Sequence, residues 1–278
     1  MRCYISLILI LFSNSSFSSV LEEDYITLFF KSKTYIVYSP SLFSSYNFEI
    51  KDIIDSNWTI TEYELIHYAD FEKIKNNDKN SFLLLTEVQF THDKTATSYN
   101  FLNLVMGTKR GRISEMPDLV NIPLSLSDQD DEKWVHKLTT LILFIQNHMV
   151  FLKENPEKRA LDITQIYYDN KLSLEGKTLY LLKEELAPDV DSAIEISKIY
   201  QGKVKFVDKA ELKKAIESKI PDIVFLHLVG PESPRGNRTC FKILIGTADA
   251  SIFYYSSHIV TKNKTSLFLA EDFKNISN

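Results

Sequence analysis

The residues best suited to binding a charged ligand lie in one short loop near the C-terminus. The segment Pro231–Arg238 contains two prolines, which restrict its backbone, together with Arg235 and Arg238. Each guanidinium can donate two parallel hydrogen bonds to a carboxylate or a phosphate. Loops that follow strands often carry binding residues. Arg235 and Arg238 are therefore the candidate binding residues, and a solvated connection without a ligand is the alternative.

Histidine and cysteine side chains could hold a metal ion or supply a nucleophile. The chain has six histidines and two cysteines, but no HxxxH, HExxH or CxxC spacing that would bring two ligands together. His227, Cys240 and His258 could meet only if three successive strands align. We otherwise expect His227 to be a core histidine and Cys240 a small buried hydrophobe. The sequence therefore predicts no metal site and no cofactor.

Catalytic patterns are also weak. Ser257 and His258 are adjacent in sequence, yet neighbours on a strand point to opposite faces of a sheet. A Ser–His pair requires adjacency in space. The seven glycines are isolated and form no GxGxxG, Walker or GxSxG motif. The sequence therefore gives no support for a nucleotide-binding loop or for the nucleophile turn of common hydrolases. We assign no catalytic residue.

Composition and charge limit the classes to which the protein can belong. With 44% hydrophobic, 12% aromatic and 25% charged residues, the chain has enough apolar side chain to fold rather than remain disordered. Its formal net charge of −5 provides no long-range attraction to nucleic acid or anionic lipid. We therefore expect no nucleic-acid partner.

The N-terminus has the pattern of a secretory signal peptide. Met1 and Arg2 precede an apolar run that extends to Phe12, and small polar residues follow up to Ser19. The run is too short to cross a bilayer, which requires about 20 apolar residues. We predict a signal peptide at residues 1–18, an exported protein that is periplasmic or secreted, and no stable membrane span after cleavage.

The same order of patterns occurs twice in the remaining chain. Each copy has a strand, a helix, a second strand, a second helix and three further strands. The strands are expected at Lys33–Tyr38, Thr59–Ile66, Phe82–Thr86, Leu102–Thr108 and Leu119–Ile122 in the first copy, and at Lys177–Leu182, Lys203–Val207, Ile223–His227, Phe241–Thr247 and Ile252–Ile259 in the second. The helices are expected at Phe48–Ile54 and Ala69–Lys73, and at Val190–Tyr200 and Ala210–Lys214.

The match between the copies is closest at the second helix and the third strand, where the offset is 141 residues, and at the fourth strand, where it is 139. In the second copy, Asp208 and Glu211 have the spacing of a capping box, so we interpret these acids as helix caps. Pro117 and Pro123 bracket the fifth strand of the first copy, which suits the edge of a sheet.

This order of elements predicts the fold. The β-α-β-α-β part must be parallel with right-handed crossovers, whereas strands joined by tight turns run antiparallel. We predict an α/β protein, bordering on α+β, with two tandem related domains that each hold a mixed sheet in the order 2-1-3-4-5. The domains are expected at residues 19–128 and 173–278, with a linking helix and connector at 129–172.

A long helix is predicted between the copies. Apolar residues recur every three to four positions from Asp131 to Leu152, and Pro156 should end the helix. Acidic residues precede this pattern, as the helix dipole favours. We expect Leu141 and Ile145 to be buried and the helix to be a strut joining the two repeats.

The phrases GKTLYLLKEEL, VKFVDKAELKKAI and FKILIGT resemble those of uncharacterised exported proteins of Bacteroidetes-type bacteria, mainly over residues 176–260 and less clearly over 33–108. The order of elements also resembles small α/β domains of bacterial envelope assembly proteins. These motifs are structural, so the resemblance implies export but no activity and no site residue.

Two functions follow as hypotheses. The copies share apolar strands, caps and turns but no reactive residue, which favours a non-enzymatic binding or scaffold protein of the bacterial envelope. Its partner would be another envelope protein or an extracellular ligand. The alternative is a hydrolase or small-ligand binder with a site between the two repeats, because pockets often form between domains.

Overall fold

The computed structural model describes residues 25–41, 43–91, 98–109, 111–169, 172–232 and 238–277 of the chain. It divides into two compact units. The first comprises Met1–Val135 and Ile145–Ala160, and the second comprises His136–Phe144 and Leu161–Asn278. The predicted signal peptide lies outside the described residues, and a short helical stretch at residues 25–29 precedes the first strand.

The first unit contains one five-stranded mixed sheet. Its order is β2-β1-β3-β4-β5, with β1 parallel to β2 and β3 and the other neighbours antiparallel. This confirms the predicted order. The elements are β1 (Lys33–Val37), α1 (Ser45–Asn57), β2 (Glu62–Ile66), α2 (Tyr68–Ile74), β3 (Asn80–Gln89), β4 (Ser98–Met106) and β5 (Asp118–Leu126).

The second unit repeats this topology. Its sheet has the order β10-β9-β8-β6-β7, with β6 parallel to β7 and β8 and the other neighbours antiparallel. The protein is thus a mixed α/β protein with two tandem sheet domains. The elements are β6 (Thr178–Leu181), α5 (Ala193–Ser197), β7 (Lys203–Phe206), α6 (Lys209–Glu217), β8 (Ile223–Val229), β9 (Thr239–Gly246), β10 (Ile252–Ile259) and α7 (Ala270–Ile276).

The linking helix is shorter than predicted at its start. It begins at Leu138 and ends at Glu154 (α3), while two 3-10 turns occupy Asp131–Lys133 and Val135–Lys137. The acidic residues before the helix therefore flank a 3-10 turn rather than the end of α3, and Asp130 caps that turn by accepting from the amide of Glu132. A second helix, α4, spans Ile163–Asp169.

Helix α3 contributes to both units, because their boundary falls between Phe144 and Ile145. Leu141 and Ile145 are fully buried, as predicted. In the first unit the amide of Gln146 satisfies backbone groups of the turn after α1: its Oε1 accepts from Thr59 N at 2.8 Å and its Nε2 donates to Asn57 O at 2.9 Å. A buried polar side chain thereby fixes this turn.

Strand register corrects the predicted alignment of the copies. If the third strands are aligned at the predicted offset, Leu84 corresponds to Phe225. Their partners on the next strand are Asn103 and Ile245, whereas the predicted offset paired Asn103 with Lys242. A difference of three residues reverses the face to which a side chain points. The Gly-Thr ends of the fourth strands resemble each other in sequence without being structurally equivalent.

Two further details differ from the sequence-based expectation. Asp208 does cap α6 by accepting from the amide of Glu211, but the side chain of Glu211 pairs with Lys205 instead of completing a capping box. Pro123 lies inside β5 rather than beyond it, opposite Phe101 and beside an irregularity in the ladder. β5 is nevertheless an edge strand, as expected for a strand that contains proline.

Candidate functional site

The position at which such sheets usually bind ligands is the crevice at the carboxyl ends of their parallel strands, where the strand order reverses. In the first unit this crevice lies between β1 and β3, and in the second between β6 and β8. The residues that line these two positions decide whether a ligand has room there.

In the second unit a buried lysine occupies this position. The Nζ of Lys137 donates to the carbonyl of Leu226 at 2.9 Å and to Oε1 of Glu185 at 3.0 Å. Leu226 is the first residue of β8 beyond its pairing with β6, which ends at Phe225. Lys137 is 1% exposed, so its charge is held inside the sheet end by these two acceptors.

The C-terminal segment closes the same end of the second sheet. Phe268 N donates to Glu185 O at 2.9 Å, and Ala187 N donates to Phe268 O at 3.0 Å. These two bonds form an isolated parallel bridge between Leu186 and Phe268. Burial raises the pKa of Glu185, and the nearby Lys137 opposes that shift. Glu185 thus lies between Lys137 and the C-terminal segment and is bonded to both.

In the first unit an aromatic residue lies at this position. Tyr46, on the first turn of α1, is fully buried, and its hydroxyl donates to the carbonyl of Val37 at the end of β1 at 3.3 Å. Burial raises the pKa of this phenol above its usual value. Trp134 packs beside Tyr46, with ring centroids 6.3 Å apart. In both units, then, a buried side chain donates a hydrogen bond to a strand carbonyl at this end of the sheet.

The turn before α1 is also internally bonded. The amide of Asn47 accepts from Ser39 N at 2.8 Å and donates to the carbonyls of Ser39 and Ser41 at 3.0 and 2.9 Å. Ser44 donates its hydroxyl to Asp131 at 2.5 Å, so its side chain makes no capping bond to the helix. The side chains of Asn47 and Ser44 are thus engaged within the protein.

A second buried ion pair lies between β9 and the last helix. Lys242 Nζ donates to Asp272 Oδ2, Tyr254 donates to the other carboxylate oxygen at 2.8 Å, and Leu269 N donates to Oδ2 at 2.7 Å. The side chains of Lys242 and Asp272 are 0% and 6% exposed. These bonds fix the start of α7 on the sheet.

His227, Cys240 and His258 do not come together. His258 lies opposite Cys240, but His227 lies opposite Ile243, three residues further along β9 and on the other face. Burial raises the pKa of Cys240 to about 12, so its thiol is protonated at neutral pH. His258 Nε2 contacts the carbonyl of Thr265 at 2.9 Å, and burial lowers its pKa. Within the described ranges, no group of three or more His, Cys, Asp or Glu side chains could hold a metal ion.

The candidate arginines are only partly within the described residues. Arg235 lies outside them. Arg238 is half-buried just before β9, and its carbonyl accepts from Val260 N at 2.7 Å. Their role in ligand binding stays a prediction.

Sequence reasoning missed the buried charges. Lys137 and Glu185 are 48 residues apart, and no local pattern connects them. Lys242 could have indicated a buried charge from the sequence, since a lysine inside the apolar run Cys240–Ile245 requires either a buried partner or a position on an exposed face. Asp272 could not be identified as that partner without the position of α7.

A cavity of about 610 Å³ opens at the opposite end of the second sheet, near the amino ends of β6 and β7. Lys177, which pairs with Asp222 at 2.7 Å, and the exposed Lys203 provide positive charge there. The Tyr200 ring lies against Gly202, where an added Cβ would come within 2.1 Å of the phenol oxygen. The lining residues are Leu172, Ser173, Leu174, Glu175, Gly176, Lys177, Tyr200, Gln201, Gly202, Lys203, Ile276 and Ser277.

These features define a mixed α/β protein of two sheet units, each with a buried side chain that donates to a strand carbonyl at the carboxyl end of its parallel strands. A scan against protein-family models found no match, and searches of curated proteins and of solved structures gave no significant match. Of the helices in the described part of the chain, none has the length and apolar character needed to cross a membrane.

Proposed function

We propose that this chain is an exported, non-enzymatic binding or scaffold protein of the bacterial envelope, which binds another protein through its outer surface. The observation that carries the proposal is that buried side chains donate to strand carbonyls at both carboxyl ends, through Tyr46 in one unit and through Lys137, which is paired with Glu185, in the other. A substrate or cofactor would have to displace buried hydrogen bonds at either position. Binding to an outer surface requires no such rearrangement.

The states of the reactive groups support the same proposal. Burial raises the pKa of the Cys240 thiol to about 12 and lowers the pKa of His148 to about 4. Both groups are therefore neutral near pH 7. A catalytic thiol or base is instead tuned towards the working pH. The buried carboxylate of Asp272 accepts three hydrogen bonds from the chain itself, which suits a structural role.

The surface best suited to a protein partner lies at the start of α1. Phe43 and Phe48 are 89% and 72% exposed, although aromatic residues of this size usually lose much of their surface to packing. Exposed aromatic side chains are frequent anchors in protein interfaces. We place the partner's contact surface at this aromatic pair.

Site-specific photo-crosslinking in the native host tests this assignment. A benzoylphenylalanine at position 48 should give one discrete adduct with an envelope protein, and Phe43→Asp in the same chain should abolish it. The matched control is the same probe at Tyr168, which is 77% exposed on the other unit. An adduct that survives Phe43→Asp, or no adduct at position 48, would contradict the proposed surface.

Export is the second part of the proposal, supported by the N-terminal sequence pattern. Mass spectrometry of the mature protein from its host should find an N-terminus near residue 19. An intact Met1 on the native protein would refute export.

The cavity in the second unit favours a second candidate function, the binding of a small amphiphilic anion. Its apolar residues Leu172, Leu174 and Ile276 could contact the hydrocarbon part of such a ligand, and Lys203 could pair with its negatively charged group. The probe anilinonaphthalene sulfonate combines these features. Its fluorescence should saturate with the native chain, disappear with Gln201→Trp, which fills the cavity, and persist with Lys198→Trp, which lies outside the lining. Equal binding by both variants would refute this candidate.

A further inference from the structure

The two edge strands β2 and β7 carry opposite charges. Each is the second strand of its repeat, and each lies at the end of its sheet with one neighbour, β1 or β6. β2 has the sequence EYELI and β7 has KVKF. Glu62, Glu64, Lys203 and Lys205 are all exposed. One edge therefore presents two carboxylates and the other two ammonium groups.

We propose that β2 of one copy of the chain pairs with β7 of a second copy, so that the chain assembles head to tail through its sheet edges. Edge strands present unpaired backbone amides and carbonyls, which can pair with a strand from another chain. Throughout the described ranges, no other strand pairs with the outer side of β2 or β7. Both edges thus offer a backbone ladder to an incoming strand.

The charges select which edges can pair. If β2 paired with β2, carboxylates would face carboxylates, and β7 with β7 would place lysines opposite lysines. Like charges directly opposite on neighbouring strands are destabilising, whereas opposite charges are favourable. In an antiparallel pair, Glu62 would face Lys205 and Glu64 would face Lys203. Of the three pairings between these edges, only β2 with β7 brings opposite charges together.

The ion pairs that these side chains form within the chain do not prevent them from pairing with a second copy. Glu64 pairs with Lys33 at 2.7 Å and Lys205 pairs with Glu211 at 2.5 Å, and all four side chains are at least 39% exposed. Exposed ion pairs contribute little to stability, so replacing them with an intermolecular pair has a small cost. Because each chain has one edge of each sign, the contact is heterologous and leads to a closed ring or an open filament.

Charge-swap variants test this inference on the full mature chain. Sedimentation at low salt should show concentration-dependent association of the wild type, weakened by added salt because the contact is ionic. The variant K203E/K205E has two acidic edges and E62K/E64K has two basic edges, so each alone should lose association by at least tenfold in dissociation constant. Mixed one to one, the two variants should associate again.

The matched control is K79E/K262E, which makes the same charge change at exposed lysines outside the strands and should associate as the wild type does. Circular dichroism and melting of each variant establish that it folds. A wild type that stays monomeric up to 0.1 mM, or a mixture of folded variants that does not associate, would overturn the inference. Neither result would affect the proposed contact of Phe43 and Phe48 with a different protein.

Discussion

Lys242 and Asp272 form an ion pair that is almost completely buried between β9 and α7, and the carboxylate receives two further hydrogen bonds from Tyr254 and the amide of Leu269. Desolvating two charges has a large free-energy cost, which is offset only when the geometry is good and the remaining lone pairs are satisfied. The pair therefore fixes the position of the last helix more than it adds net stability.

Removal of one partner should be more harmful than removal of both. Lys242→Met leaves a buried carboxylate without its cation and should lower the free energy of unfolding by about 3–5 kcal/mol. The double variant K242M/D272L should lose distinctly less, because no unpaired charge remains. Urea unfolding of the two variants and the wild type measures the difference. A double variant that is less stable than Lys242→Met would show that the pair is a net source of stability.

Leu141 should be among the residues most important for stability. It is fully buried in α3, so Leu141→Ala should lower the free energy of unfolding by about 2–5 kcal/mol, the usual range for such a change in a core. The control Ile194→Ala, at a position 72% exposed, should change it by less than about 0.5 kcal/mol. A loss below about 0.5 kcal/mol for Leu141→Ala would show that this part of α3 is not packed in a core.

His148 should make the protein less stable in acid. Burial lowers its pKa to about 4 in the folded chain, whereas the unfolded chain binds a proton near pH 6.5. As pH falls from 6.5 towards 4, the unfolded state is favoured, and the loss is up to about 3 kcal/mol at 1.36 kcal/mol per pKa unit. The comparison is urea unfolding at pH 7 and pH 4.5 of wild type and His148→Leu.

The loss between these two pH values should be smaller in His148→Leu than in the wild type, since the other titrating groups are common to both chains. An equal loss in the two proteins would mean that His148 is protonated in the folded state as readily as in the unfolded state.

The Cys240 thiol should be unreactive in the folded protein. The thiolate is the nucleophile, and burial raises the pKa of this thiol to about 12. At pH 8 a disulfide reagent such as dithionitrobenzoate should modify Cys240 of the native chain at least a hundredfold more slowly than Cys240 of the chain in urea. Rapid modification without denaturant would show that the thiol is accessible and ionised, and would reopen a nucleophilic role.

Much of the fold followed from local patterns. The short apolar runs, the cap at Asp208 and the tight turns are local signals, and right-handed crossovers then leave few strand orders. The register did not follow, because the Gly-Thr pair after β4 and the pair that begins at the last residue of β9 resemble each other without being equivalent. Patterns of apolar residues predict which segments are strands, whereas register depends on packing that the patterns do not encode.

The candidate site was harder to predict than the fold. Tyr46 and Lys137 carry no sequence motif. Their importance depends on two contacts, of Tyr46 with the carbonyl of Val37, nine residues away, and of Lys137 with the carbonyl of Leu226, 89 residues away. The start of α3 was also misplaced, because the segment from Asp131 to Lys137 has helical spacing but forms 3-10 turns. Tertiary hydrogen bonds of this kind override local preference.

The division of α3 between the units limits how the protein can be cut into fragments. A fragment that ends at residue 135 lacks Gln146, so Thr59 N and Asn57 O lose their buried partner. A fragment that begins at residue 161 lacks Lys137 and leaves the carboxylate of Glu185 without its cation. Recombinant halves intended to fold independently would therefore overlap, because the first would have to extend beyond Gln146 and the second to begin before Lys137, and a gene encoding either sheet alone would specify an incomplete core.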